Sequence, residues 1–400
     1  MLRSLIRKTI IQAIGVAARF FPPWATSRVV DVVPQIEWTR VKSPVNVSGL
    51  PAQFASQFVR AKNIPSRRIF ELHNVFVTSE GVTFRNLRIF LPSLPWSKDL
   101  ERYRTGEFLT RQWKRNVRTI GDQPLILGFD HWAMSNYYHW MIESLPRLYL
   151  AQAFYKDCKI LLPEDVHEYV IASLELLDFN NLERIGNNEV ICVHRLILPE
   201  IIYYNGVENE DEPPPQINVG NLDGAPKEEL ILPVRRKLLG NFSPKTPYRK
   251  VYVSRSRSRI RRLVNEREIL PVLQSSGFEI VFFEGMTLME QIRLMQETSV
   301  FCGVHGSNMV NLLFLPTTAK VIELMNEHQV NDAFYLLSST IGVDYHSVPC
   351  SMKDEFVPRT SDSVLINDAD LVVDVGRFEN VLKEVLVRPT ISDLMQVSGF

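Results

Sequence analysis

Residues 300–316 read VFCGVHGSNMVNLLFLP. Residues 300–303 suit a buried strand, His305, Gly306 and Ser307 a turn, and Asn308 the opening of a helix. A strand that runs through glycines into a helix aims free backbone N–H groups and the positive end of the helix dipole at one place. That place suits an anion, most often phosphate. Gly303 and Gly306 permit close backbone approach, and His305 adds a donor. The stretch contains neither G-x-G-x-x-G nor G-x-x-x-x-G-K-[ST], so neither the dinucleotide fingerprint nor a P-loop is indicated. The plainer alternative is a tight βα turn with a hydrogen-bonded structural histidine.

The turn belongs to a series, and the series sets the fold class. From residue 248 onward, strands are expected at 250–254, 279–283, 300–303, 320–324 and 345–348. Helices are expected at 265–275, 288–297, 308–314 and 331–341. Pro271 should kink or delay the first helix, and Thr287 with Glu290 spells a capping box for the second. Alternating βα units imply a parallel sheet with helices on both faces. Residues 377–387 suit a terminal helix.

Upstream, 70–78 and 81–90 alternate apolar and polar residues around a turn and read as a hairpin. Strands are expected at 123–129, 159–163 and 189–193, with helices at 136–154 and 165–177. The acidic, proline-rich stretch 208–226 reads as a loop, and 227–240 as a helix ended by Gly240. The chain therefore divides into a basic amphipathic segment (1–24), an amino-terminal α/β domain (25–226) and a linker helix and loop (227–247). A carboxy-terminal Rossmann-like domain (248–375) and a terminal helix and tail (376–400) follow. Two α/β halves joined by a linker place a ligand in a cleft at the carboxyl ends of the strands. Arg255 and His305 both follow strands and fall at such ends.

Residues 249–266, RKVYVSRSRSRIRRLVNE, set Arg255, Arg257, Arg259, Arg261 and Arg262 just after a strand. The chain holds 45 Lys+Arg against 45 Asp+Glu, so this cluster is a local feature and not a by-product of a basic protein. Guanidinium groups bind phosphate in a bidentate manner and stay charged. With no aromatic interleaving and no basic excess, nucleic acid is not expected as a partner. The alternative is a solvated basic loop.

Residues 136–150, NYYHWMIESLPRLYL, place His139 and Glu143 four apart, on one face of a helix. Such a pair is a candidate general base. Asp130 and His131, after the strand at 123–129, are next in line. A buried polar pair of purely structural use is the alternative.

Together these stretches resemble glycosyltransferase family 61, of the bacterial type that builds capsules and exopolysaccharides. The resemblance is carried by N-x-x-H-W-x-x-E-S-L-P-R-L at 136–148 and V-S-R…R-R-x-x-N-E at 253–266. It continues with G-F-E at 277–279, G-x-H-G-S-x-x-x-N-L-L-F-L-P at 303–316 and V-I-E-L at 321–324. It spans roughly 124–324. Ser307 departs from the alanine of many members, and 1–121 and 208–247 carry no matching motif. The resemblance implies the GT-B architecture: two Rossmann-like domains facing across a cleft, donor on the carboxy-terminal one, acceptor mostly on the other. It also implies an inverting transfer from a nucleotide-sugar without a bound metal.

The chemistry then assigns roles. A departing diphosphate needs positive charge, and arginines with helix amides can supply it. Arg255 and Arg261, with His305, Gly306, Ser307 and Asn308, take that task, Arg262 being the alternative to Arg261. Glu323, at a strand end, is suited to accept both ribose hydroxyls. The acceptor hydroxyl needs a base, and His139, Glu143 or Asp130 is that base. No cofactor is expected, since the nucleotide-sugar, UDP-linked in this reading, is the substrate; a glycan or polysaccharide is the acceptor. Asp368-Ala369-Asp370 spells a short metal-chelating motif, but it lies beyond the βα series and is read as chance.

Other readings stay open. One is a non-catalytic nucleotide-sugar or glycan-binding protein of the same fold. Another is a scaffold in a polysaccharide assembly, resting on the amino-terminal segment. A serine hydrolase using Ser307 is disfavoured, because no G-x-S-x-G elbow surrounds it. The uncharged run 9–18 is too short to span a bilayer. A basic amphipathic helix on an anionic membrane surface is preferred for 1–24, with a helix packed on the protein body as the alternative. Cys158, Cys192, Cys302 and Cys350 are widely spaced with no C-x-x-C pair. They suit free thiols in a reducing compartment, so the expected location is the cytoplasm, at most peripheral on the inner face of a membrane.

Overall fold

The structure is a computed structural model that describes residues 28–33, 36–58, 61–64, 67–86, 88–95, 103, 106–112, 114–200, 228–240, 242, 246–353 and 368–387. The segment 1–24 and the stretch 208–226 lie outside the described residues. The protein is mixed α/β and forms two compact units, Met1–Glu37 with Ile64–Ile217, and Trp38–Asn63 with Asn218–Phe400. Residues 38–63, read from sequence as part of the amino-terminal domain, therefore belong to the second unit. Lys42 pairs with Asp344 at 2.6 Å, and Asn46 exchanges hydrogen bonds with the backbone of Ser347. Contacts across some 300 residues leave no local signal.

The second unit follows the expected series. Its strands lie in the order Phe278–Val281, Arg249–Val253, Thr298–Val304, Lys320–Asn326, Asp344–Met352 and Leu371–Val372. The first five pair parallel and the last is antiparallel. The first strand in sequence thus sits between the second and third, the doubly wound order that reverses direction between Arg249–Val253 and Thr298–Val304. A crevice opens at the carboxyl ends of strands where the order reverses. Between them, helix Glu266–Ser275 runs on through Pro271 near its middle, and Leu288–Gln296 begins with the capping box, Thr287 N–H donating to Glu290 Oε2 at 2.8 Å. Tyr252, Cys302, Ile322 and Val348 bury one sheet face under Phe378 and Leu382 of the terminal helix Val375–Val387. The expected terminal helix is thus part of this core.

The first unit is less regular. Among the described residues its sheet has nine strands, with Leu182–Ile185, Lys159–Pro163, Leu125–Leu127 and Glu189–Pro199 forming a parallel run. Glu189–Pro199 then pairs antiparallel with the long strand Arg67–Thr78, which hairpins back to Thr83–Arg85. The sheet is therefore mixed, not the parallel sheet expected of a Rossmann-like half. Strand Leu182–Ile185 carries polar residues and escapes a hydrophobicity reading. The four cysteines are free. Among the described residues no helix is long and apolar enough to cross a membrane.

Candidate active site

In the first unit the expected helix 136–154 is two pieces, a π-helical turn His139–Ser144 and helix Leu145–Phe154, and a short helix His131–Ser135 precedes them. Pro146 lacks an N–H, which removes one α-type bond at the junction and favours the wider turn there. Leu145 N–H instead reaches back five residues to Trp140 O. The turn is pinned by buried Trp140, whose Nε1 donates to Ser173 Oγ at 2.8 Å. Such turns gather at functional sites.

His139 and Glu143 meet on that turn, Nδ1 to Oε1 at 2.7 Å. Glu143 is buried while His139 keeps an exposed edge, and the Trp132 ring stands edge-on to the imidazole at 5.0 Å. Burial opposes a charge on His139. The charge and hydrogen bond of Glu143, with Asp130 behind it, outweigh that opposition and hold the imidazole above its ordinary range. With Nδ1 engaged by Glu143, Nε2 is the nitrogen left for chemistry.

Asp130 is not a free base, contrary to the sequence reading. Its Oδ1 caps helix His131–Ser135, accepting from Trp132 and Ala133 N–H at 2.9 and 3.0 Å. Its Oδ2 accepts from Arg147 Nη2 at 3.0 Å. Arg147, quoted in the motif but given no role from sequence, is the buried post of the site: it also donates to Gly128 O and Ser144 Oγ. Gly128 has no alternative, because a Cβ there would meet Leu148 at 2.1 Å. Removing one partner of a buried pair strands the other's charge. Arg147→Ala is expected to destabilise this unit by about 3–5 kcal/mol, readable as a shifted urea midpoint.

In the second unit Arg255, Arg261 and His305 stand at the carboxyl ends of the parallel strands. Arg255 is buried over Gly306. A Cβ on Gly306, where φ is 154°, would meet Arg255 Nη1 at 2.2 Å, so the close approach requires glycine. Arg255 Nε and Nη2 donate to the carbonyls of Arg261 and Ile260, both at 3.2 Å, and clamp the loop that carries Arg261. Among the described residues no carboxylate lies within ion-pair distance of Arg255. Burial, and then the neighbouring charge of Arg261, draws its guanidinium down to about 10.

Arg261 itself has φ 56°, a left-handed conformation that costs a non-glycine residue about 1–3 kcal/mol and collects at functional sites. The loop is held there by Arg261 N–H to Asp368 O and Val264 N–H to Leu371 O. The Asp368 carboxylate is 3.7 Å from Arg261 Nε, and Asp370 binds Arg262 at 2.6 Å. Both acids of the chelator-like tripeptide thus face arginines. Arg261, not its alternative Arg262, lines a crevice with His305, Asn326, Gln329 and Asn331. The three amide residues, on or just after strand Lys320–Asn326, carried no recognisable signal in sequence.

Two expectations in this unit are corrected. The helix opening at Asn308 is a 3₁₀ helix, Ser307–Phe314, buried along most of its length; Ser307 and Asn308 begin it. Glu323 is not available to ribose. It is fully buried, with Oε1 2.5 Å from His305 Nδ1 and Oε2 accepting from Tyr345 at 2.6 Å.

Residues 137–322 match the family model described as Glycosyltransferase 61. An EGF domain-specific O-linked N-acetylglucosamine transferase of Drosophila melanogaster is 31% identical over 26% of this chain and 20% of its own length. A beta-1,2-xylosyltransferase of Oryza sativa subsp. japonica is 28% identical over 22% and 18%. An alpha-1,3-arabinosyltransferase of the same plant is 24% identical over 39% and 26%. This chain spans about a quarter or less of the length of these relatives. They are animal and plant proteins, so the bacterial, capsule-type part of the expected resemblance is not what they carry.

Proposed function

From the match of residues 137–322 to the glycosyltransferase 61 family model, we propose a transferase that moves a sugar from a nucleoside-diphosphate donor, UDP-linked in this reading, to a hydroxyl of a glycan. The observation that carries the proposal is the pair of cations at the switch point of the second unit. Arg255 and Arg261 are drawn down by burial, and the charge of Arg261 further lowers Arg255. A diphosphate supplies the missing negative charge, and its charge grows as it leaves. His305 and Gly306 flank the same place. The sugar-transferring activities named for the relatives support the reaction class.

Acceptor activation falls to His139 Nε2, with Glu143 holding the ring. A base acting opposite the leaving group inverts the anomeric centre, and inversion is part of the proposal. So are the GT-B class, with donor recognition in the second unit and acceptor activation in the first, and a metal-independent mechanism in which arginines balance the charge. The free cysteines favour a cytoplasmic setting.

The test is release of nucleoside diphosphate from a panel of nucleotide-sugars, with and without glycan acceptors. One donor should be turned over, faster with acceptor, and at the same rate in excess chelator. Binding without release under every acceptor would favour the non-catalytic binder. Loss of transfer in chelator, restored by manganese or magnesium, would overturn metal independence.

A further inference from the structure

The second unit holds an imidazole–carboxylate pair that runs one residue deeper than the pair in the first. His305 contributes Nδ1, Glu323 both carboxylate oxygens, and Tyr345 its hydroxyl, at 2.5 and 2.6 Å. They come from the turn after strand Thr298–Val304 and from the next two strands. Ser347 is the register partner of Glu323, and Tyr345 lies two residues before it, on the same sheet face. Tyr345 is buttressed from behind. Val45 N–H donates to its carbonyl at 2.8 Å, and the Tyr335 and Phe58 rings stand 5.6 and 6.4 Å from its own. Segment 38–63 therefore braces the deep end of this chain of contacts.

The direction of the hydrogen bonds follows from the groups. Burial, and next the Glu323 charge, holds the Tyr345 phenol well above its ordinary range, so it keeps its proton and donates. An ionised carboxylate only accepts. With Tyr345 donating to one oxygen, the proton between the other oxygen and His305 sits on Nδ1. Nε2 makes no hydrogen bond among the described residues, and His305 lines the crevice beside Arg261.

We propose that Tyr345 is a positioning residue which, through Glu323, keeps His305 protonated at Nδ1 and presents Nε2 to the donor diphosphate. This rests on the reading of the crevice as a nucleoside-diphosphate site. To donate to a phosphate oxygen, Nε2 takes up a proton, and the ring then carries both protons beside a carboxylate that balances it. Tyr345 touches no substrate.

The experiment is nitrogen NMR of protein labelled at its histidine rings, with the His305 signals assigned by their loss in His305→Asn. Titration with UDP follows on the same samples. The free protein should show His305 protonated at Nδ1, and UDP should add a proton at Nε2. In Tyr345→Phe the Nδ1 form should give way to a tautomer mixture. UDP affinity should fall about tenfold, the loss of one hydrogen bond to a charged group, while turnover at saturating donor stays near wild type. A purely structural tyrosine would lower the melting temperature and leave tautomer and affinity alone, and that result overturns the proposal. So does a free His305 bare at Nδ1. Should Tyr345→Phe not fold, the wild-type signals still decide the tautomer, and Glu323→Gln supplies the affinity arm. Wild-type protein that binds no UDP overturns the underlying reading instead, with the ring signals deciding the relay independently.

Discussion

His139→Ala should lose about 10²–10⁴-fold in turnover, the usual contribution of a general base, with donor affinity little changed. Glu143→Gln should lose much of the same. The double variant should fall little below the worse single one, because the 2.7 Å contact makes the two side chains act as a unit. The pH profile gives a second reading. A base works in its neutral form, and the His139 imidazole is held above its ordinary range, so turnover should climb as pH rises through that raised value. Glu143→Gln removes the chief group raising it and leaves burial opposed only by the charge of Asp130, so the limb should move toward acid. The linked stability has the opposite sense. The pair stabilises the fold fully below about pH 6.5, the unfolded histidine value, and the contribution fades as pH passes the raised one. Normal turnover in both single variants, measured beside their melting temperatures, would leave the pair a structural one.

Arg255→Ala should weaken UDP binding by about 2–5 kcal/mol, the cost of losing a buried charge-assisted contact. Arg255→Ala would also lose its bonds to the carbonyls of Ile260 and Arg261, so the melting temperature should drop as well. Arg255→Lys keeps a charge but cannot span both carbonyls, and it should recover only part of the affinity. Unchanged affinity by calorimetry in a folded Arg255→Ala protein would remove Arg255 from the site. The residue has two duties, and only one was visible in the sequence. A strand followed by arginines suggests a phosphate site; that one of them is spent on its own loop depends on where the chain turns back.

Much of the second unit was legible because its information is local. Each strand is a short apolar run, each helix has its own period and cap, and the alternation alone implies a parallel sheet. Thr287 with Glu290 reads in four residues and forms as read. The carboxyl ends of strands are equally local, so Arg255 and His305 were legible as strand-end residues, whereas the place of Arg261 depends on the left-handed loop that carries it. His139 and Glu143 were paired by spacing alone, although the turn beneath them is π-helical and not α.

What the sequence by itself determined is therefore the class of fold in the second unit and the residue types assembled at its switch point. Only the tertiary structure decided which of those side chains are free to meet a ligand. Glu323 and Asp130 look like available carboxylates in one dimension. In three, one is consumed by His305 and Tyr345 and the other by a helix end and Arg147. The return of segment 38–63 to the second unit is of the same kind. A residue's type and period are set by its neighbours in the chain, whereas the partners of a buried polar group are set by whatever the fold brings within 3 Å. A buried charge must find such a partner or pay its desolvation in full.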